Sequence, residues 1–441
     1  MTLTGRARRM TTRSEAPSRL ARVGMRVAVE RIANSSSGIA VSMAIMNVAT
    51  YGFVLLGSDL LGTETYGAVA ASLNVLLVIS VGALGLQATA ARRISADPQH
   101  VAQIEHSILR VTYRAAAALG VIMLVLSPAI QRLLNLDHIG VALLIALSTV
   151  PLTIVGGFAG ILQGERRWAA LGLLYIASGV PRLVIGTAFI AWRPTELWAL
   201  AGIAISFWAP VLVGWWALRN RRHPSDEAAG HTGMAMLKES ISNGQALFAF
   251  FALSSVDIVV ARNVLSNHES GLYAGGLILA KAMLFLPQFV VIVAFPTMAT
   301  GSGRRKALVV SLSLVAALGT VGTLAAWLLS GIAIRFAGGV KYAEVEPRLW
   351  IFAILGTLLS MIQLLVYSVL ARQGKRSVYV VWLALVTLVA VGLTTETVLG
   401  LVTTVVLVDV ALLLVLMGVS AWFLRDGAPA PAEPATTTLQ S

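Results

Sequence analysis

The sequence predicts an all-α polytopic membrane protein, with twelve transmembrane helices in two six-helix bundles related by a pseudo-two-fold axis. Three observations carry this expectation. Apolar stretches of about 20 residues or more, long enough to cross ~30 Å of hydrocarbon, recur from Ser36 to Phe423. The gaps between them alternate between basic and nearly charge-free. Two short stretches, one in each half of the chain, resemble each other at near-constant spacing.

Taken in order, the expected spans are 36–58, 67–90, 109–131, 139–162, 169–192, 197–218, 241–264, 271–298, 308–334, 350–371, 377–396 and 399–423. The basic gaps are Arg92-Arg93, Arg166-Arg167, Arg219 with Arg221-Arg222 and Lys238, Arg304-Arg305-Lys306, Arg372 with Lys375-Arg376, and Arg425. An Arg-rich leader precedes them all. By this layout, with Arg262 at the end of the seventh span counted as loop charge, 23 of the 33 Lys and Arg residues fall on one side, 6 on the other and 4 inside spans. Loop charge sets orientation, so the expected location is the cytoplasmic (inner) membrane, multi-pass, with both termini cytoplasmic. The longest interior gap, Asn220 to Ser240, is polar and contains Pro224. It divides the chain into a basic N-terminal segment (1–33), a first bundle (34–219), a linker (220–240), a second bundle (241–425) and a disordered tail (426–441).

The first interior gap reads Gly62-Thr63-Glu64-Thr65-Tyr66-Gly67-Ala68, and the seventh reads His268-Glu269-Ser270-Gly271-Leu272-Tyr273-Ala274. Glu64 and Glu269 are 205 residues apart, and Gly67 and Gly271 are 204 apart. Because six spans is an even number, both halves enter from the same side. They are expected to be parallel repeats about an axis along the membrane normal, which places a site between the bundles near the midplane.

Composition narrows the function. The chain is 57% hydrophobic and only 12% charged, against about 25% charged in soluble proteins, and the spans leave no room for a soluble domain. With no cysteine, disulfides, thiolate metal sites and a cysteine nucleophile are excluded. The histidines (His100, His106, His138, His223, His231 and His268) fall in or beside loops without an HExxH pair, so neither a cofactor nor a metal is expected. A net charge of +13 is explained by basic loops facing anionic lipid, and nucleic acid is not an expected partner. The leader is not a cleavable signal, because the apolar run after it is too long. Its Arg19, Arg22, Arg26 and Glu30 lie on one helical side and Leu20, Val23 and Val27 on another. Both a surface helix on the inner leaflet and a disordered basic tail fit that pattern. No GxxxxGK[ST] string occurs, so ATP hydrolysis within this chain is not expected.

Four stretches in this order carry a family resemblance: Leu61-Gly62-Thr63-Glu64-Thr65-Tyr66-Gly67; Leu162-Gln163-Gly164-Glu165-Arg166-Arg167-Trp168; Asp257 followed by Glu269-Ser270-Gly271-Leu272-Tyr273-Ala274; and Phe295-Pro296. Over about residues 35 to 425 the chain resembles polysaccharide and oligosaccharide flippases of the multidrug/oligosaccharidyl-lipid/polysaccharide exporter superfamily. Its wider relatives would be lipid II flippases and multidrug and toxin extruders. The resemblance implies export of a lipid-linked repeat unit by alternating access. It also implies a lipid-linked glycan substrate, membrane lipids and polysaccharide polymerase machinery as partners.

Charges inside spans are costly and usually face a cavity or a partner. Arg182 follows Pro181 midway along the fifth span, Lys281 lies in the eighth and Asp257 in the seventh. At 1.5 Å per residue they fall in one layer, ~12 to ~16 Å below the outer surface. In one reading Arg182 and Lys281 hold the pyrophosphate of a lipid-linked glycan while Asp257 balances the empty cavity. In the other, Asp257 and Lys281 form a structural salt bridge. Arg110 and Arg114, at i and i+4 on the third span, would receive the incoming phosphate or snorkel to head groups. Asp257 and Asp409 are the candidate ion-coupling residues. Asn47, Asn74 and Gln245, in spans one, two and seven, would offer hydrogen bonds to sugars or to neighbouring helices. Gln87, Gln288 and Gln363 are further polar residues inside spans. Gly156, Gly160 and Gly164 make a close-packing ridge, and Pro151, Pro181, Pro210, Pro287 and Pro296 are candidate bends.

The competing functions are an ion-coupled small-molecule or multidrug exporter and a membrane glycan polymerase or ligase. The short outward gaps, the largest running from Arg335 to Arg348, argue against the enzyme. The intramembrane Arg182 and Lys281 favour anionic over cationic cargo.

Overall fold

The computed structural model describes residues 36–219, 233–284, 304–336, 339–370 and 375–425. The leader, Pro287, Gln288, Pro296 and the tail lie outside the described residues. All of the described regular elements are helical. Hydrocarbon offers no partner for a backbone N–H or C=O, so a spanning segment must satisfy both within itself. Buried hydroxyls follow the same rule: those of Ser42, Ser127, Thr149 and Thr153 donate to the carbonyl four residues back.

Helix α1 (Ser36–Ala96) makes two passes, because Gly62 at φ 77°, ψ 176° breaks it into two arms. Next come α2 (Val101–Leu133) and α3 (Ile139–Gly164). Helices α4 (Trp168–Trp192) and α5 (Glu196–Leu218) complete the first lobe. The second lobe contains α6 (Gly233–Val264), α7 (Asn267–Met283), α8 (Arg304–Leu328) and the short α9 (Ser330–Phe336). A 3-10 segment (Val340–Arg348) then leads into α10 (Leu349–Leu370), α11 (Lys375–Gly392) and α12 (Val398–Arg425). Counting both arms of α1, six passes precede α6 and six follow from it, as expected.

Four local expectations change. The stretch Thr63–Ala68 is the opening turn of the second arm of α1, not a loop, since Gly62 alone makes the turn. His268–Ala274 opens α7, where Ser266 and Glu269 form a reciprocal capping box that satisfies two otherwise orphan donors. Helix α6 begins at Gly233, inside the stretch 220–240 read as linker. The Arg335–Arg348 segment is also largely helical.

Aromatic rings mark the two membrane faces. Arg193 stacks over Trp192 and Trp198, at 5.6 and 5.8 Å, at one end of the first lobe. Arg219 stacks over Trp216 at 5.6 Å at the other. Trp198 and Trp216 are 18 residues apart on α5, a rise of ~27 Å that matches the hydrocarbon thickness. We call the Trp192 end the latch end and the opposite one the basic end.

The expected glycine ridge is confirmed. A Cβ on Gly156 or Gly160 would fall 2.5 Å from the Ala83 carbonyl and 2.6 Å from the Gln87 carbonyl, so α3 lies backbone-to-backbone on the second arm of α1. Both α2 and α3 end in Schellman closures with a left-handed residue. That residue is Asn135 (φ 48°) in the first and Arg166 (φ 56°) in the second. At Arg166 the closure is defined by Arg166 N–H to Gln163 O (3.1 Å) and Arg167 N–H to Leu162 O (2.9 Å). Asparagine tolerates this backbone, whereas arginine pays about 1–2 kcal/mol for it.

The two lobes meet where the repeated motifs face each other. Thr63 Oγ1 and His268 Nδ1, 205 residues apart, are 3.1 Å from each other. A Cβ on Gly67 would lie 3.2 Å from Gly271 Cα, and one on Gly271 would lie 2.0 Å from the Thr63 carbonyl. Gly271→Ala is therefore expected to push the lobes apart, at about 1–3 kcal/mol of overpacking. A Thr63→Cys/His268→Cys pair in this cysteine-free chain reads the contact. Its cross-linking by a short bifunctional thiol reagent should be efficient with Gly271 and fall sharply with alanine.

Candidate functional site

The core of the site is a polar cluster between α6, α7, α12 and the second arm of α1. Asp257, buried on α6, has both oxygens engaged: Ile258 N–H donates to Oδ1 at 2.8 Å and the Tyr273 hydroxyl of α7 donates to Oδ2 at 3.0 Å. Asp409 of α12 is within electrostatic reach of both Asp257 and Tyr273. It is fully buried, and among the described residues neither of its carboxyl oxygens has a hydrogen-bond partner.

Lys281, half-buried on α7, donates its ammonium to the side-chain oxygen of Asn74 on the second arm of α1. Asn74 in turn donates to the Ala70 carbonyl at 2.7 Å. Lys281 feels the Asp257 charge but forms no ion pair with it among the described residues. The expected structural salt bridge is thus absent, because Tyr273 and a backbone N–H occupy the carboxylate. Lys281 and Asn74 are 207 residues apart, so this contact joins the two halves of the chain.

Arg182 lies elsewhere. Pro181 supplies no N–H, and the helix loosens into a π-turn over Arg182–Gly186, a distortion often found at functional positions. The guanidinium stacks 5.2 Å from the Phe207 ring and donates to the Ser178 carbonyl at 3.3 Å, while its Nε has no acceptor. No contact among the described residues joins Arg182 to Lys281, Asp257 or Asn74. The expected single layer resolves into two separate cation positions, one inside the first lobe and one between the lobes.

The remaining candidates are dispersed. Asn47 is half-buried on the first arm of α1 and already engaged within the protein. Gln245 is exposed on α6. Arg110 and Arg114 are exposed on α2, and Arg110 bonds to His106 Nε2 at 3.0 Å.

A residue that sequence reasoning assigned only to the loop-charge count closes the latch end. Arg262, buried at the end of α6, donates to the Leu134 carbonyl at 2.9 Å and to the Asn135 carbonyl, both in the turn after α2. It also reaches Asn267 at 3.1 Å and Ser270 at 3.4 Å, and the Asn135 side chain bonds back to the Arg262 carbonyl. Asn263 donates to Leu133 O at 2.7 Å, the Tyr342 hydroxyl to Ser58 O at 3.2 Å, and Lys341 to Asp59 O. Glu196 is within electrostatic reach of Arg262 and accepts from Asp137 N–H at 3.3 Å. Among the described residues every polar contact between the lobes lies at this end or at Lys281, ~20 Å further along α7.

Arg262→Ala would leave the buried Leu134 carbonyl without this donor, at about 1–3 kcal/mol, and would also free the more exposed Asn135 carbonyl. Its expected effect is to open the latch. Cross-linking of the Thr63→Cys/His268→Cys pair should fall in this background, while an Arg193→Gln control at the same end should leave it unchanged.

Comparison with known proteins agrees with this architecture. A family model described as polysaccharide biosynthesis protein matches residues 32–302, more than half of the chain. No curated protein matches the sequence. Several solved transporters share the fold. An inward-facing multidrug resistance MATE family transporter of the MOP superfamily is 15% identical, with 88% of this chain and 96% of that one covered at a TM-score of 0.59. The MATE multidrug transporter DinF-BH, solved in complex with R6G, is 15% identical over 91% and 96% at 0.62. A MOP superfamily transporter from Pyrococcus furiosus is 14% identical over 91% and 97% at 0.57. With a family match over the whole described first lobe and into the second, the chain belongs to the polysaccharide biosynthesis protein family, and its two helical lobes share the fold of the solved MOP superfamily transporters.

Proposed function

We propose that this exporter is a flippase for a lipid-linked oligosaccharide, moving a polyprenyl-pyrophosphate-linked repeat unit across the cytoplasmic membrane by alternating access for cell-surface polysaccharide biosynthesis. The observation that carries this reading is Lys281. It sits between the lobes at the inner limit of the latch, and its hydrogen-bond partner, Asn74, is neutral. An anionic head group crossing a low-dielectric region needs a cation there, and an ammonium held by an amide can exchange that contact for a phosphate oxygen without first breaking an ion pair.

With the latch end taken as periplasmic, as the loop charges indicate, the state described is closed outward. The pyrophosphate would approach from the basic end, where Arg110 and Arg114 lie exposed on α2, and would stop at Lys281 below the latch. Arg182, Asn47 and Gln245 belong to this reading as secondary contacts for phosphate and sugar. Release of Arg262 from the α2 carbonyls would then open the far side. The Pyrococcus furiosus transporter is described as having a binding pocket of reversed polarity that suggests a different function, so pocket charge varies on this scaffold.

Asp257 and Asp409 supply the coupling step in this proposal. A buried carboxyl lacking any donor is a costly charge, so Asp409 would take up a proton or a small monovalent cation. Tyr273 and Asp257 would report its occupancy to Lys281 through their shared field. The same two acids favour a second reading, an ion-coupled multidrug exporter, since they would also attract a cationic drug.

Deletion of the protein should cause one lipid-linked oligosaccharide intermediate to accumulate on the inner leaflet. A normal lipid pool with heightened dye sensitivity would select the multidrug exporter instead. In complemented cells Lys281→Met should insert normally yet cut export at least about tenfold, the effect of one lost charge-assisted contact. Full-rate export by that variant overturns the phosphate role. Asp409→Asn should retain substrate binding but lose dependence of transport on the ion gradient, measured in proteoliposomes with and without an imposed gradient.

A further inference from the structure

A second polar recess lies far from the cluster around Lys281. It has a volume of about 850 Å³ and sits at the basic end of the first lobe. Its walls are helix ends: Ile94 and Ser95 of α1, Val101 and Glu105 of α2, the turn Gly164–Arg167 after α3, and Trp216–Arg219 of α5. Helix ends and an exposed Trp216 place it at head-group depth.

Its charges are arranged unequally. Glu165 pairs with Arg167 at 3.4 Å, and Glu105 is buried with one interaction inside the protein, although its Oε1 has no hydrogen-bond partner among the described residues. Nearby, His100 donates to Asp97 at 2.9 Å and holds that carboxylate below its usual range. Arg167 also caps the Ala217 carbonyl at 2.6 Å. Two cations remain without a carboxylate among the described residues. Arg219 lies over Trp216, and the exposed Arg166 side chain makes no hydrogen bond or ion pair. Helices α2 and α4 start here without a side-chain cap on their first turns, so their N-terminal dipoles add to the positive potential.

Arg166 is the decisive residue. It occupies the left-handed position of a Schellman closure, where glycine is the usual and least strained choice. The matching closure after α2 uses Asn135, whose side chain bonds the Arg262 carbonyl. Arg166 has neither a tolerant backbone nor a partner among the described residues, which leaves its charge open to a ligand from outside the fold.

We propose that this recess binds the phosphate of an anionic membrane phospholipid, with Arg166 and Arg219 as the cationic contacts and Trp216 as the interfacial wall. A phosphate oxygen takes the guanidinium fork well, and basic pockets between helices on the cytoplasmic side suit such head groups. The site is independent of the transported cargo.

The test is thermal unfolding of the purified full chain, followed by tryptophan fluorescence in detergent micelles doped with phosphatidylglycerol or phosphatidylcholine. A parallel arm uses inorganic phosphate. The expected result is a rise in Tm with phosphatidylglycerol alone. Arg166→Gly relieves the left-handed strain, so it should match or exceed the wild-type Tm without lipid, yet require at least about tenfold more phosphatidylglycerol for the same shift. Arg166→Gly/Arg219→Gln should abolish the shift, and Arg193→Gln at the latch end should keep it. An undiminished shift in the double variant overturns the site. An equal shift with phosphatidylcholine, or with inorganic phosphate, overturns its assignment to an anionic lipid.

Discussion

The rest of the molecule depends on how closely the two repeats approach at the latch end. Gly271 lies so near the Thr63 carbonyl that no side chain fits between them, and this contact sets the separation of the lobes. With it in place, Thr63 reaches His268, Arg262 reaches the carbonyls after α2, and Lys281 reaches Asn74. Each of these is a short-range interaction between groups more than 120 residues apart in sequence. All of them depend on the backbones standing close, because hydrogen bonds weaken steeply with distance and angle. That makes the latch a cooperative unit, suited to being wholly shut or wholly open, because packed interfaces are bistable and not continuously deformable.

Charge inside the bilayer is handled in four different ways. Asp257 is stabilised by two donors, the Ile258 backbone N–H and the Tyr273 hydroxyl. Arg182 spreads its charge over the Phe207 ring and a helix carbonyl. Lys281 rests on an amide, and Asp409 has no hydrogen-bond partner among the described residues. The first two arrangements are largely satisfied within the fold. The last two leave binding capacity unused, which is why the functional proposal centres on Lys281 and Asp409.

Much of the architecture was legible along the chain. Spacing of apolar runs and alternation of basic gaps gave the twelve passes, and the Gly156–Gly164 ridge correctly foretold close helix packing. The repeat was visible in Glu64 and Glu269, although the glycines, not the glutamates, proved to be the points of contact. Both motifs were taken for loops because glycine and polar residues look alike in a turn and in a capped first helical turn. Arg262 was hidden for a similar reason: a basic residue near a span end reads as loop charge, and only its partners show it to be buried.

Sequence alone determined what depends on local chemistry: membrane residence, the number of passes, the parallel repeat and the inventory of intramembrane charges. Backbone satisfaction in hydrocarbon and the length of an apolar helix act within one segment, so one segment reveals them. Tertiary structure decided which charges meet. Arg182 and Lys281 share a depth by residue count, yet the π-turn and Phe207 keep one inside a lobe while Asn74 draws the other between lobes. Depth along a helix follows from a linear count, whereas direction around it depends on what the neighbouring helices offer.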